Sequence, residues 1–208
     1  MKKLGIVLSL ALATLLLAGN ALAQGDKSVY FVTYYSNANT TYAPDQTLRL
    51  INDGGASTSQ VEGVPNGNLW ASIYVFDDSQ EMQECCNCFV SSDGLLSESV
   101  NKELTANELT GRAERTRGVI KVISSATNDP TNNAPKAGLR GTMTHASYDL
   151  PANTTAVVSQ YYTLTETPLS DSNLVSAEQQ SLQQSCSFAI TLGSGYGVCS
   201  CTPEDHDF

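Results

Sequence analysis

The side chains best suited to chemistry in this sequence are six cysteines, which fall into two groups. The first group is Cys85, Cys86 and Cys88, and the second is Cys186, Cys199 and Cys201. An even number of thiols in an exported chain predicts three disulfides, because paired cysteines persist in oxidising compartments. A bridge inside the first group would close a very small, strained ring. We therefore expect the two groups to be cross-linked to each other, although the sequence does not fix the pairing.

A thiolate metal site, or redox-active use of some thiols, is the alternative. In extended strands Cys86 and Cys88 point to one side, as do Cys199 and Cys201, so four thiolates could converge on Zn²⁺ or Cu⁺. Structural zinc sites usually place roughly two to four residues between paired cysteines, whereas each pair here encloses a single residue. A four-ligand site would also leave two thiols unused. The spacing therefore favours disulfides, and we expect no cofactor.

One dense acidic group precedes the first cysteines. It consists of Asp77, Asp78, Glu81 and Glu84. Carboxylates of this kind are calcium ligands, but no EF-hand loop is present in the sequence. Asp78 and Glu81 also have the spacing of a helix-capping box, which gives them a structural use. These four residues are therefore weak candidates for a metal site.

The sequence offers no nucleophile, base and orienting group that can be named together. The two histidines, His145 and His206, stand outside any recognised catalytic motif. The segment GSGYG at 193–197 lacks the spacing of a phosphate loop or a nucleophile elbow and is typical of a turn. We therefore expect that the protein is not an enzyme.

Aromatic side chains near the ends of predicted strands are candidates for sugar binding. They are Tyr34, Tyr35, Tyr42, Trp70, Tyr161 and Tyr162. The same residue types are common in β cores and in cross-strand pairs. The aromatics therefore keep a glycan-binding module open as an alternative function.

Residues 1–23 have the three parts of a cleaved export signal. Lys2 and Lys3 precede an apolar run at 4–17, and Ala21 and Ala23 stand before a cleavage position at Gln24. The apolar run is too short to span a membrane. We expect a single mature domain at 24–208, secreted to the extracellular space or the periplasm and not inserted in a membrane.

The charge of the chain is strongly acidic. It has 21 acidic and 11 basic residues, for a formal net charge of −10. Such a chain repels nucleic acids and anionic membrane surfaces. Neither is therefore expected as a partner.

Short apolar segments rich in Val, Ile, Tyr, Phe and Thr, separated by Gly, Pro, Asn and Asp, predict strands and turns. The predicted strands are 29–35, 47–52, 69–77, 95–100, 118–124, 139–146, 157–165, 187–192 and 197–201. Residues 73–76 form a run that indicates burial on both faces. Helices are predicted at 78–84 and 176–185. The resulting fold class is all-β and mainly antiparallel, a two-sheet sandwich with one or two short helices, clamped by disulfides.

Several segments together resemble a group of uncharacterised secreted bacterial proteins. They are LRLIN at 48–52, LWASIYVFD at 69–77, ECCNC at 84–88, SVN at 99–101, LTAN at 104–107, LTG at 109–111, GVIK at 118–121 and the ending from 186 to 201. Where that group is expected to have a cysteine, this chain has Trp70. The resemblance implies a shared fold and export, and it implies no known activity.

These observations predict an exported, non-enzymatic structural or adhesion-type protein of the cell exterior, stabilised by disulfides. The aromatic strand at 29–35 precedes a loose linker and could be donated to a neighbouring copy, which would allow self-assembly. The expected partners are thus other copies or cell-surface components. The alternative is a secreted module that binds a glycan or a metal ion.

Overall fold

The computed structural model describes residues 29–55, 67–109, 115–151, 155, 158–192 and 195–201. The predicted export signal at 1–23 lies outside the described residues. The strands are β1 (Tyr30–Ser36), β2 (Thr47–Asn52), β3 (Leu69–Asp77), β4 (Met82–Val90), β5 (Leu95–Ser99), β6 (Arg117–Ser125), β7 (Leu139–Tyr148), β8 (Tyr162–Pro168) and β9 (Ser170–Asp171). A π-helical turn spans Val100–Leu104, a 3₁₀ turn spans Ser159–Tyr161, and the α-helix α1 spans Ser176–Thr191.

The strands form two antiparallel sheets, as the sequence predicts. The five-stranded sheet has the order β4-β3-β6-β1-β9, and the four-stranded sheet has the order β5-β2-β7-β8. The chain passes from the second sheet to the first between β8 and β9, where the backbone N–H of Leu169 donates to the carbonyl of Gly141 at 2.9 Å. This crossing joins the two sheets at the side of the sandwich away from β4.

The inner core fills the space between the two sheets. Leu48 and Leu50 of β2 and Met143 of β7 meet Ile73 and Val75 of β3, and all five side chains are fully buried. Because successive side chains of a strand point to opposite faces, alternate residues of β3 enter this core. Apolar burial of this kind is the main force that holds the sheets together.

The five-stranded sheet also has a buried outer face, which is covered by α1. Tyr74 and Ile123 of the sheet pack against Leu182 and Ala189 of the helix. The predicted burial of 73–76 on both faces is confirmed for its first three residues, while Phe76 is partly buried against the helix side. The molecule thus has three layers, with the five-stranded sheet in the middle.

Four local predictions differ from the structure. Residues 187–191 belong to the end of α1 rather than to a strand, and 78–84 form a turn and the start of β4 rather than a helix. Residues 197–201 form no strand and make only an isolated parallel bridge, between Val198 and Cys85. The predicted strand at 157–165 begins at Tyr162, after the 3₁₀ turn.

The physical reasons for these differences lie in burial and capping. Leu182, Cys186 and Ala189 are spaced to form one buried stripe of a helix, and this tertiary contact outweighs the β propensity of the segment that follows. Asp77, and not Asp78, accepts the turn amides of Ser79 and Glu81. That turn sends the chain directly back as β4.

No helix among the described residues is long and apolar enough to cross a membrane.

Candidate functional site

The outer edge of β4 carries all three disulfides. They join Cys85 to Cys186, Cys86 to Cys199 and Cys88 to Cys201. The predicted cross-linking of the two cysteine groups is confirmed, and all six cysteines are used. Disulfides of this number indicate a non-reducing environment.

Strand alternation sends these bridges to two different layers. Cys85 faces outward and meets Cys186 of α1 in the outer core. Cys86 and Cys88 face inward and belong to the inner core together with Cys199. One bridge therefore fastens the helix, and two fasten residues 195–201, which we call the C-terminal segment.

Backbone hydrogen bonds hold the C-terminal segment as well. The N–H of Cys85 donates to the carbonyl of Gly197 at 3.0 Å, and the N–H of Cys199 donates to the carbonyl of Cys85 at 3.3 Å. The N–H of Gly197 donates to the carbonyl of Asn107 at 2.8 Å, and the N–H of Ser200 donates to that of Glu103 at 3.2 Å. The segment therefore covers part of an exposed sheet edge, which would otherwise be open to pairing with another chain.

The inward-facing sulfurs form a compact cluster. The Sγ atoms of Cys86 and Cys88 are 3.8 Å apart. Those of Cys86, Cys88 and Cys201 all lie within 4.8 Å of one another, the one set of three or more potential metal ligands found this close within the described ranges. Three of the four sulfurs for which strand alternation predicts convergence are thus close together, in the oxidised, disulfide form, and the sulfur of Cys199 is outside this set.

The four acidic candidates have separate environments. Buried Asp77 accepts from Gln83 Nε2 at 2.9 Å and pairs with Arg115 Nη2 at 3.1 Å, in addition to capping the turn. Asp78 is exposed and accepts from Arg117 Nε at 2.8 Å, and this hydrogen bond lowers the pKa of the Asp78 carboxyl. Calcium binding by this acidic group stays a prediction.

Glu84, the fourth acidic candidate, is completely buried beside the disulfides. Its Oε1 accepts the backbone N–H of Asn107 at 2.7 Å, and its Oε2 has no hydrogen-bond partner in the described part of the chain. Burial raises the pKa of Glu84 to about 7, and the nearby Glu108 carboxylate adds to the rise. In neutral solution the pH is therefore close to the pKa of this carboxyl, at which it gains or loses its proton.

Asn107 is a residue whose role the sequence did not reveal. Besides holding Glu84, it accepts from Gly197, and its side-chain Nδ2 donates to the carbonyls of Gly195 and Val198. It therefore connects the loop after β5 to the C-terminal segment. The one sequence signal was its place in LTAN, one of the segments that carry the resemblance described above.

His145 of β7 contacts side chains of β8 and β1. Its Nε2 is 2.8 Å from Thr167 Oγ1, and its ring stacks on Tyr34 with centroids 4.2 Å apart. Burial lowers the pKa of His145. No side-chain partner for Nδ1 occurs among the described residues, so this hydroxyl–imidazole pair lacks the orienting carboxylate of a catalytic triad. His206 lies outside the described residues.

The aromatic candidates are dispersed. Tyr35 is a core residue, Tyr42 is 60% exposed, and Trp70 packs edge-on against Phe89. Tyr161 and Tyr162 both contact the ring of Tyr148. Tyr148 was not among the predicted candidates, because the predicted strand at 139–146 ended before it. The three tyrosines form the one aromatic group larger than a pair in the described ranges.

The turn predicted at 193–197 is described only from Gly195 onward, where Gly195 and Gly197 both have positive φ. The grouping of this chain with uncharacterised secreted bacterial proteins stays a prediction. Comparisons with protein-family models, with curated proteins and with solved structures found no match to the chain.

Proposed function

We propose that this protein is an exported, non-enzymatic structural or adhesion-type component of the cell exterior. The observation that carries the proposal is the convergence of three disulfides on β4, which tie it to residues 101 to 113 positions later in the chain. Such bridges restrict the unfolded chain and so stabilise the fold where no cellular machinery maintains it. The export signal predicted at 1–23 agrees with this location.

The chemistry of the described residues supports a non-enzymatic role. The nearest approach to a catalytic pair is His145 with Thr167, and it lacks an orienting acid in the described part of the chain. The buried carboxylate of Glu84 accepts a hydrogen bond from the backbone N–H of Asn107, which is not a nucleophile. Rigidity rather than reactivity is therefore the property that the fold favours.

Self-assembly through β1 remains part of the proposal as an exchange of strands. Within one chain β1 pairs with β6 over seven residues and with β9 over two. An exchange between copies would reproduce the same pairs, as in domain swapping. Since β9 covers so little of β1, the partner that β1 would have to leave is mainly β6.

Location and surface display test the main proposal. Cells that produce the chain are fractionated, and intact cells are labelled with an antibody against the folded protein. We expect the mature chain, with all cysteines oxidised, in the exterior fraction and accessible to antibody. Reduced full-length chain in the cytoplasm would contradict the proposal.

A designed cross-link tests strand exchange separately. Tyr34 and Val119 stand directly opposite each other on β1 and β6. In the variant Tyr34→Cys/Val119→Cys, a disulfide inside one chain locks β1 in place, and size-exclusion chromatography should show the loss of any assembly present in the parent protein. Assembly that persists in the locked variant would rule out exchange of β1.

The alternative, a glycan-binding module, is favoured by the tyrosine group. The rings of Tyr148 and Tyr162 have centroids 4.8 Å apart, and those of Tyr148 and Tyr161 are 6.3 Å apart. Aromatic rings offer apolar faces to sugars. Calorimetric titration with polysaccharides, with Tyr148→Ala as the test variant and Phe89→Ala as a matched aromatic control, distinguishes this function. An absence of heat with every polysaccharide would remove it.

A further inference from the structure

We infer that the four inward-facing cysteines form a Zn²⁺ site when their two disulfides are reduced. The ligands are Cys86 and Cys88 of β4 and Cys199 and Cys201 of the C-terminal segment. Zn–S bonds of about 2.3 Å place the sulfurs of a tetrahedral site about 3.8 Å apart. The sulfurs of Cys86 and Cys88, which belong to different disulfides, already stand at 3.8 Å.

The backbone places the other two ligands opposite this pair. The Cα atoms of Cys86 and Cys199 are 5.2 Å apart, as are those of Cys88 and Cys201. Once each S–S bond is broken, side-chain rotation can separate the sulfurs without moving the strands. The sulfurs of Cys86, Cys88 and Cys201 already lie within 4.8 Å of one another, and Cys199, the disulfide partner of Cys86, supplies the fourth ligand by rotation of its side chain.

Contacts other than these disulfides keep the ligands in place after reduction. The backbone of the C-terminal segment is held by hydrogen bonds to Cys85, Asn107 and Glu103. The third disulfide, between Cys85 and Cys186, lies in the other layer, where both residues are fully buried under α1. The fold therefore holds the reduced site in a preorganised form, which lowers the entropic cost of metal binding.

The exposure of the cysteines determines the order in which a reductant reaches the two bridges. Cys201 is the partly exposed member of the cluster, whereas Cys86, Cys88 and Cys199 are buried. An external dithiol attacks the Cys88–Cys201 bridge first, and a second dithiol reduces Cys86–Cys199. Each dithiol gives two electrons and two protons to one bond and becomes a disulfide itself. Binding of Zn²⁺ to the four thiols then releases four protons, since thiolates are the ligands.

Cobalt substitution tests this site. The mature oxidised protein is reduced anaerobically with a phosphine, freed of reductant and titrated with Co²⁺ and then Zn²⁺. We expect about four alkylatable thiols, the visible absorption of tetrahedral cobalt thiolate saturating near one ion per chain, and its loss when Zn²⁺ displaces Co²⁺. Circular dichroism follows the fold throughout.

Two variants separate the site from adventitious binding. Cys88→Ser/Cys201→Ser removes two ligands and should abolish the cobalt spectrum. Asn87→Ala lies on the same strand between the two ligands but on its opposite face, and should keep the spectrum. Four free thiols without the spectrum, an unchanged spectrum in the double serine variant, or loss of both fold and binding on reduction would each overturn the inference.

Discussion

The two faces of β4 are fastened in different ways. On the outer face the 16-residue helix α1 buries Leu182 and Ala189 and has one disulfide. On the inner side the C-terminal segment exposes Tyr196 and Val198 and has two disulfides. The element with little apolar surface to bury therefore has more covalent links and backbone hydrogen bonds, which suggests that cross-links here replace missing hydrophobic burial.

The largest effect is expected when covalent fastening is removed from both faces. Reduction and alkylation of all six cysteines should lower the free energy of unfolding by about 5 kcal/mol or more, because even one bridge across a loop of this length contributes about 4 to 5 kcal/mol. Urea unfolding of the oxidised and alkylated proteins, followed by tryptophan fluorescence, measures the difference. Nearly equal midpoints would contradict a structural role for the disulfides.

The stability contributed by α1 should depend on the burial of its apolar side chains as well as on its disulfide. Leu182→Ala should lower the free energy of unfolding by about 3 kcal/mol, because it leaves a cavity between α1 and the sheet. Phe188→Ala is the matched control, since Phe188 lies on the same helix but is 63% exposed, and its effect should be about 0.5 kcal/mol or less. Thermal unfolding of both variants checks this, and equal losses would mean that α1 does not pack as described.

The buried Glu84 should make stability depend on pH. Because its pKa rises from 4.5 to about 7 in the folded state, the folded chain holds the proton more tightly than the unfolded chain. Its contribution is therefore fully present below about pH 4.5 and is lost as the pH rises to about 7, by up to about 3 kcal/mol.

Glu84→Gln removes this titration and should unfold at higher urea than the parent protein at pH 8, with a smaller difference at pH 4.5. Glu81→Gln, at an exposed position of the turn that precedes β4, is the control and should leave the pH dependence of the urea midpoint unchanged. Parallel pH profiles for the parent and Glu84→Gln would show that Glu84 is not the titrating group.

The smallest expected effect is the difference in stability between two variants that each lack one bridge. With both inner bridges intact, the Cys85–Cys186 bridge closes a loop of intermediate length, so Cys85→Ala/Cys186→Ala should lower the free energy of unfolding by about 3 kcal/mol. With Cys86–Cys199 intact, the Cys88–Cys201 bridge closes a loop of only a few residues, so Cys88→Ala/Cys201→Ala should lower it by about 2 kcal/mol. Urea unfolding of both variants measures the difference, and the reverse order would remove the entropic explanation.

Most of the strands could be predicted from the sequence, whereas the structure of β4 and of the C-terminal part of the chain could not. The strands at 47–52 and 69–77 were predicted with the observed bounds, because alternation and flanking turn residues mark them. By contrast, β4 was absent from the predicted strands and its first three residues were assigned to the helix at 78–84, since a run of cysteines has little periodicity and its strand character comes from pairing with β3. The helical end at 187–191 likewise depends on a tertiary contact, the packing of Ala189 against the sheet.

The site was predictable in part. The cysteine grouping predicted bridges between the two groups, and strand alternation predicted a convergence of four sulfurs, of which three lie within 4.8 Å of one another. The pairing of Cys85 with the helix could not be predicted, because it requires knowing that Cys186 lies on the outer face. The roles of Asn107 and Glu84 depend on a loop whose position only the folded chain defines.

Disulfide mapping of the mature, unreduced protein tests the central claim most directly. Partial reduction with differential alkylation, followed by mass spectrometry of the fragments, distinguishes the adjacent Cys85 and Cys86. The account predicts Cys85 joined to Cys186, with Cys86 and Cys88 joined to Cys199 and Cys201 in that order. A bridge from Cys85 to the C-terminal segment, or a bridge within either group of cysteines, would contradict the division of β4 into a helix-fastening and a segment-fastening face.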